Sequence, residues 1–295
     1  MEKPEFLKNF KRNILLKDYT TFKIGGPAKY FFIADNEKNL IDVLKYSKKD
    51  NLPFFVLGGG SNLLVSDKGF DGLVIKVQFS DFKIKNSEIY AQGGAELSKI
   101  VESASKEGLE GIEWIVGIPK VTIGGAIRNN AGAFGGCMGD IIKSVEVFDI
   151  LYSQTKTICR EDCKFDYKET VFKQNKNLVI LSCLLKLKKG NKKEIKNRIS
   201  YFLDYRKKNH PMDYPSAGCV FKNPPGMRAA DLIERVGLKG KRLGGAEISK
   251  KHANFIINFK KAKASDVLEL INLAKERVKN KFGIILEEEI QYLGF

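Results

Sequence analysis

Pro53-Phe-Phe-Val-Leu-Gly-Gly-Gly-Ser-Asn62 sets a short apolar run directly against three glycines and two small polar side chains. Glycine has no Cβ and enters left-handed backbone angles freely. Successive N–H groups of Gly58, Gly59 and Gly60 can then form a nest for a diphosphate, with Ser61 and Asn62 adding side-chain donors. A tight turn between strands would use the same residues. The spacing is neither the dinucleotide GxGxxG nor a P-loop with its lysine. A second segment, IGGAIRNNAGAFGG at 123–136, holds five glycines in fourteen residues. Backbone there comes close to something, either another part of the chain or a large planar cofactor, and both readings stay open.

Outward from these segments the texture changes twice. Before them lie a strand-like run, Ala28–Ala34, and a helix starting near Glu37 with Leu40, Val43, Leu44 and Ser47 on one face. Around them, apolar runs Phe54–Leu57, Leu73–Val77, Val145–Ile150 and Val179–Leu185 alternate with glycine clusters. One helix there carries Leu97, Ile100, Val101 and Ala104 and is closed by Gly108. A basic stretch, Lys186–Lys193, marks a boundary. Beyond it come a helix with Ile195, Ile199 and Phe202 inward and a helix carrying Ala229, Leu232, Ile233 and Val236 that ends at Gly237. A last helix runs from an N-cap at Ser265 to Gly283, and a final strand-like run covers Ile284–Leu293. Strands and helices mix without a strict βαβ rhythm, which predicts an α+β fold.

The chain has 295 residues, 43% apolar and 29% charged, which excludes collagen, coiled coil and global disorder. Lys plus Arg is 51 against 35 Asp plus Glu, a formal charge of +16 that favours anionic partners. The N-terminus lacks an apolar h-region and no run approaches the ~20 residues of a membrane span, so a cytoplasmic protein without membrane association is expected. Five cysteines include no CxxC pair, which fits reduced thiols. The two histidines, His210 and His252, exclude a His-rich metal site, and no metal is expected.

Four further motifs offer chemistry. In Tyr214-Pro-Ser-Ala-Gly-Cys-Val-Phe-Lys-Asn-Pro224, two prolines bracket a small-residue turn that displays Cys219, as an acid or nucleophile or as a buried structural thiol. Leu286-Glu-Glu-Glu-Ile290 places Glu287 and Glu289 on one face of a strand and Glu288 on the other. Tyr205-Arg-Lys-Lys208 is either a solvated helix end or a phosphate-capturing group. His252 fits a hydrogen-bonded structural role.

Taken together these residues resemble the UDP-N-acetylenolpyruvoylglucosamine reductases, in their shorter type II branch. The motifs run in order from Thr20-Thr-Phe-Lys-Ile-Gly-Gly-Pro27 through GGGSN, NNAGAFGG, YPSAGCVFKNP, LIERVGLKG (232–240) and GGAEISKKHANFIIN (244–258) to FGIILEEEI (282–290). The resemblance implies a PCMH-type FAD-binding unit in two lobes, 1–52 and 53–190 (the unit itself from about 20 to 190). It also implies a C-terminal α+β substrate-binding domain at 191–283 and a strand at 284–295 returning to the active site. FAD would contact Gly58, Gly59, Gly60, Ser61, Asn62, Gly125, Asn130, Ala131 and Gly132. No His precedes residue 210, so attachment through histidine is unavailable and FAD is expected to be non-covalent.

The implied reaction takes hydride from NADPH through FAD to UDP-N-acetylglucosamine enolpyruvate, giving UDP-N-acetylmuramate for peptidoglycan synthesis. Cys219 stands where the family usually has a proton-donating Ser, and Glu289 is the carboxylate partner, with Glu287 the second register. The family's Tyr-Arg pair reads Tyr167-Lys168 here. Lys168 keeps the charge without the planar fork that grips a carboxylate, and Arg128 is the candidate second cation. Lys120 replaces a usual Gly after Pro119, in a segment one residue longer than usual. Arg206, Lys222 and Asn223 are expected on the substrate diphosphate, and the protein is expected to be a monomer. Two other readings fit parts of the chain: an FAD-dependent oxidase of a hydroxy acid or sugar alcohol, which the PSAGCVFKNP loop argues against, and a basic nucleic-acid-binding protein, for which the scattered charge offers no motif.

Overall fold

The glycine-rich middle of the chain folds around an antiparallel sheet in the order Gln154–Cys159, Ile142–Asp149, Leu178–Lys186, Glu88–Gln92, Phe82–Lys85. Its central strand holds the longest apolar run of the sequence, and both of its faces are covered. Leu178, Ile180, Cys183 and Leu185 enter one core with Ile89, Leu97, Ile100, Trp114 and Ile127. Val179 and Leu181 enter another with Leu40, Val43, Leu44, Leu73 and Phe148. Alternation between two apolar surroundings, reset by the register shift at Leu181, is why Leu178–Leu181 shows no polar face.

The computed structural model describes residues 8–295. Residues 1–7, where the expectation of an N-terminus without an export signal begins, lie outside the described residues. The chain forms two units. The first takes the described residues up to Arg12 with Tyr30–Gly59 and Gly72–Leu203, and the second takes Asn13–Lys29, Gly60–Asp71 and Asp204–Phe295.

In unit 1, helix Glu37–Lys49 starts at Asn36, whose side chain accepts the Asn39 N–H, and buries Leu40, Val43, Leu44 and Ser47 as the spacing predicts. Strand Phe54–Leu57 pairs in parallel with residues 73–76. Helix Leu97–Lys106 ends before Gly108, which takes φ +69°. Helix Lys192–Asn209 gives its first part to this unit: Ile195 is buried, Ile199 and Phe202 pack on the core, and Arg198 pairs with Glu110 and Glu113 at 2.6 and 2.7 Å.

In unit 2, a sheet runs Ser216–Cys219, Phe255–Asn258, Ala246–Ile248, Arg242–Leu243. Helices Ala229–Arg235 and Ala264–Phe282 bring Leu232, Ile233, Val267, Leu270, Ile271, Ala274 and Val278 to a core shared with Ala246, Ile248 and Ile256. The long helix stops at Gly283, φ +71°. Its start differs from the expected Ser265 cap. The Asp67 carboxylate accepts the Ala264 and Ser265 N–H groups at 2.8 and 3.2 Å, a cap supplied from almost two hundred residues away. The expected strand Ile284–Leu293 is shortened to Gln291–Leu293, paired in parallel with Leu63–Val65. No described helix is long and apolar enough to cross a membrane.

Candidate active site

The residues singled out by the sequence fall into two groups, one in each unit. In unit 1 the glycine segment 123–136 opens with helix Ile123–Arg128, whose Thr122 Oγ1 accepts the Gly125 N–H at 3.4 Å. The N–H groups of Asn130 and Ala131 return to Ile127 O and Ala126 O. Gly132 pairs with Cys137 in a short antiparallel ribbon. Asn130, buried and at φ +38°, uses its whole carboxamide inside the protein. Its Oδ1 accepts the Gly139 N–H at 2.9 Å and its Nδ2 donates to Asp166 O at 2.8 Å.

That second bond matters because Asp166 and Glu169 exchange both backbone hydrogen bonds at 3.1 Å, closing a two-residue turn that displays Tyr167 and Lys168. Lys168 takes φ +56° at its tip, and its carbonyl accepts from Lys173 Nζ at 2.7 Å. Thr170, fully buried, donates from Oγ1 to Arg128 O at 2.8 Å. The Lys168 turn and Arg128 are thus tied together by one hydroxyl. Arg128 carries a buried Nη1 with no hydrogen-bond partner. Burial works against its charge, and Glu169 works for it. A buried guanidinium N–H without an acceptor is costly, which makes this a place for an anion.

Gly58 and Gly59 close the unit 1 side of the triple-glycine run. A Cβ on Gly58 would press on Thr122 Oγ1, and one on Gly59 would overlap the Lys120 carbonyl. These glycines therefore serve close packing of protein backbone, whatever else they bind. Lys120 itself sits at φ +53°, the region glycine favours. Lys76, which no sequence motif singles out, donates its Nζ to Gly58 O at 2.6 Å. Burial pushes the Lys76 ammonium down, while Glu96 favours its charge.

In unit 2, Gly60 takes φ +66° against the Tyr19 carbonyl, and its own carbonyl accepts the Thr21 N–H at 3.1 Å. Ser61 follows it, half-buried. Asn62 does not leave its side chain idle. Nδ2 donates to Glu289 O at 3.1 Å, and Asn62 O accepts the Gln291 N–H at 3.0 Å. Cys219 ends strand Ser216–Cys219 after Gly218 at φ +79°. The next residues are joined to the acidic triplet: Val220 O accepts the Glu289 N–H at 2.7 Å, Phe221 bridges Glu288, and the Lys222 N–H donates to Glu287 O at 2.8 Å. The structure thus brings the Cys219 and Glu289 segments side by side. Residues 284–289 form no long strand, but the single antiparallel bridge at Glu288 keeps this stretch extended beside residues 220–222. Glu287 pairs with Lys222 at 3.2 Å and Glu288 with Lys275 at 2.9 Å.

The other expected binding residues are placed as follows. Lys222 is the partner of Glu287, and Asn223 Oδ1 accepts the Ala229 N–H at 3.0 Å, starting the helix Ala229–Arg235. Arg206 is only 6% exposed, with burial opposing its charge and Cys219 supporting it. His210 is pushed down to about 4, by burial first and then by Arg206 and His252. Among the other cysteines, burial pushes the Cys137, Cys163 and Cys183 thiols up.

Residues 28–150 match the FAD binding domain model, and residues 210–293 match the C-terminal domain model of UDP-N-acetylenolpyruvoylglucosamine reductase. The protein of that name from Caldicellulosiruptor bescii is 44% identical over the full chain and 95% of its own length. The one from Clostridium tetani is 41% identical, covering 97% of this chain and 93% of its own. The chain belongs to the UDP-N-acetylenolpyruvoylglucosamine reductase family. The crystal structure of the Thermus caldophilus reductase agrees, at 36% identity and TM-score 0.82, covering 96% of this chain and 99% of that one.

As a member of that family the chain is an oxidoreductase of α+β fold, with an FAD-binding domain followed by the reductase C-terminal domain. Arg128, inside the matched FAD domain, holds a buried cationic donor without a hydrogen-bond partner, which suits an anionic group of either cofactor or substrate. Cys219, Lys222, Asn223 and Glu289 lie inside the matched C-terminal domain, while Lys168 and Arg206 lie outside both matched ranges.

Proposed function

We propose that this chain uses NADPH to reduce UDP-N-acetylglucosamine enolpyruvate to UDP-N-acetylmuramate, a step in peptidoglycan precursor synthesis in the cytoplasm. Bound FAD, held without a covalent link, supplies hydride transfer from the nicotinamide to the terminal vinyl carbon. The Gly58–Asn62 run with Gly125 and residues 130–132 lines the cofactor. The chain's own residues handle charge and proton. Lys168, with Arg128 as its second cation, holds the substrate carboxylate as negative charge spreads onto it. Cys219 gives its proton to the neighbouring carbon. A thiol with a reference pKa of ~8.5 is mostly protonated at pH 7 and is a far stronger acid than the serine hydroxyl it replaces. The thiolate left behind faces the buried Arg206 charge, which stabilises it until a proton returns. Glu289 assists the transfer, and Lys222 and Asn223 meet the substrate diphosphate.

The observation that supports this reading most is the 2.7 Å bond from Glu289 N–H to Val220 O, which sets the acid and thiol segments next to each other in a family whose relatives carry the reductase name. The test is a visible spectrum of the FAD-loaded protein through two additions. NADPH bleaches the flavin band without oxygen, and UDP-N-acetylglucosamine enolpyruvate restores it. A flavin that bleaches but stays bleached contradicts the assigned substrate and leaves the oxidase reading open.

A further inference from the structure

The stretch after Cys219 runs between two segments of unit 2, and on one side a single side chain, that of Asn254, holds it by two bonds. Val220 N–H donates to Asn254 O at 2.8 Å, an ordinary main-chain pairing. At Phe221 the partner changes. Its N–H donates to Asn254 Oδ1 at 2.9 Å, and Asn254 Nδ2 donates to its carbonyl at 2.8 Å. One carboxamide thus replaces a peptide group of a neighbouring strand, satisfying both polar groups of the same residue. Asn254 is 3% exposed, and Phe221 is equally buried at 2%. Water cannot stand in for either bond, so their loss leaves two orphaned main-chain groups. On the other side Val220 O and Lys222 N–H are held by residues 289 and 287. Asparagine is the one residue whose short side chain offers donor and acceptor on a single planar group at this reach.

We propose that Asn254 is a positioning residue for Cys219: its carboxamide sets the path of residues 220–221 and through them the direction in which the thiol leaves the Gly218 turn. This rests on the reading of Cys219 as proton donor. Cys219 acts only when substrate takes the electrons, so Asn254 matters in that half of the cycle and not in the other.

The test uses FAD-loaded Asn254→Asp and Asn254→Ala in stopped-flow, with each half-reaction measured separately. Flavin reduction by NADPH is expected at the wild-type rate in both. Reoxidation by UDP-N-acetylglucosamine enolpyruvate is expected to slow about 100-fold in Asn254→Ala, the scale of a misplaced reacting group. Asn254→Asp distinguishes positioning from bulk stability. A protonated carboxyl can accept from the Phe221 N–H and donate to its carbonyl, whereas the carboxylate cannot donate. Reoxidation by this variant is therefore expected to approach wild type at low pH and to fall as the new carboxyl ionises, a titration additional to that of the proton-donating thiol, which both proteins share. A second readout needs no turnover: the alkylation rate of Cys219, followed by peptide mass spectrometry, changes severalfold in Asn254→Ala while that of exposed Cys159 stays constant. Equal slowing of both half-reactions, a wild-type pH profile in Asn254→Asp, or unchanged Cys219 alkylation would overturn the proposal. Wild-type protein that fails to reoxidise would instead overturn the assigned substrate and leave the alkylation result to decide on Asn254.

Discussion

The turn that displays Lys168 in unit 1 and the turn that displays Cys219 in unit 2 are built by different means. The first is a two-residue closure, Asp166 to Glu169, tied to the glycine-rich segment by the Asn130 amide and the Thr170 hydroxyl. The second continues into a stretch paired by main chain on both sides, at residues 254 and 287–289. The Asn130 and Thr170 side chains link the first turn to the glycine-rich segment, and it is this turn in which the resemblance puts Lys168 where an Arg is usual. A turn supported by separate side chains is expected to accept a change of its displayed group without refolding. A turn woven into a sheet admits only small changes, such as thiol for hydroxyl.

The largest effect that would break this contrast is on catalysis in unit 1. If Lys168 and Arg128 share the substrate carboxylate, Lys168→Met is expected to cut reoxidation by roughly 100-fold, the scale of losing one charge-stabilising donor. Arg128→Met is expected to cost less, and the double variant less than the product of the two. Single-variant rates equal to wild type would remove the cation in question. Next in size is the fold itself. Asn130→Ala orphans the buried Gly139 N–H, while the Asp166 carbonyl keeps its bond from the Glu169 N–H, and is expected to destabilise by about 1–3 kcal/mol, read by denaturant unfolding. A change below about 0.5 kcal/mol would show that the Lys168 turn holds without its amide.

A smaller effect separates the units by pH. Both histidines lie in unit 2. The folded His210 takes a proton at about 4, whereas the unfolded imidazole takes it near 6.5. Between those values the unfolded chain binds more protons, so stability is complete above pH 6.5 and falls as pH drops toward 4. Allowing for partial exposure, the contribution is on the order of 1–2 kcal/mol. His210→Gln is expected to flatten that part of the thermal-stability profile, and an unchanged profile would contradict it. Smallest is Lys120→Gly, which relieves a left-handed residue and is expected to stabilise by about 1 kcal/mol.

The same contrast governs what could be read from the chain. Helix Glu37–Lys49 with its buried Leu40, Val43, Leu44 and Ser47 was legible because periodicity is a local property. The Cys219 loop was legible because its prolines and Gly218 impose the turn from within. The Asp67 cap on helix Ala264–Phe282 was not, since the acid lies 197 residues away and the nearer Ser265 has the same chemistry. Nor were the clamps of Asn130 and Asn254, or the Lys76 bond to Gly58, because nothing in a lone polar residue says which backbone it will meet. The triple glycine was legible as a close approach, but its sequence could not say that Lys120 and Tyr19 supply the approaching backbone.

Stopped-flow reoxidation of NADPH-reduced, FAD-loaded Cys219→Ala, beside wild type and Cys219→Ser, bears most directly on the thiol's role. Full bleaching in all three is expected, with Cys219→Ala reoxidised about 1000-fold more slowly by UDP-N-acetylglucosamine enolpyruvate and Cys219→Ser in between. Reoxidation of Cys219→Ala at the wild-type rate would contradict the account.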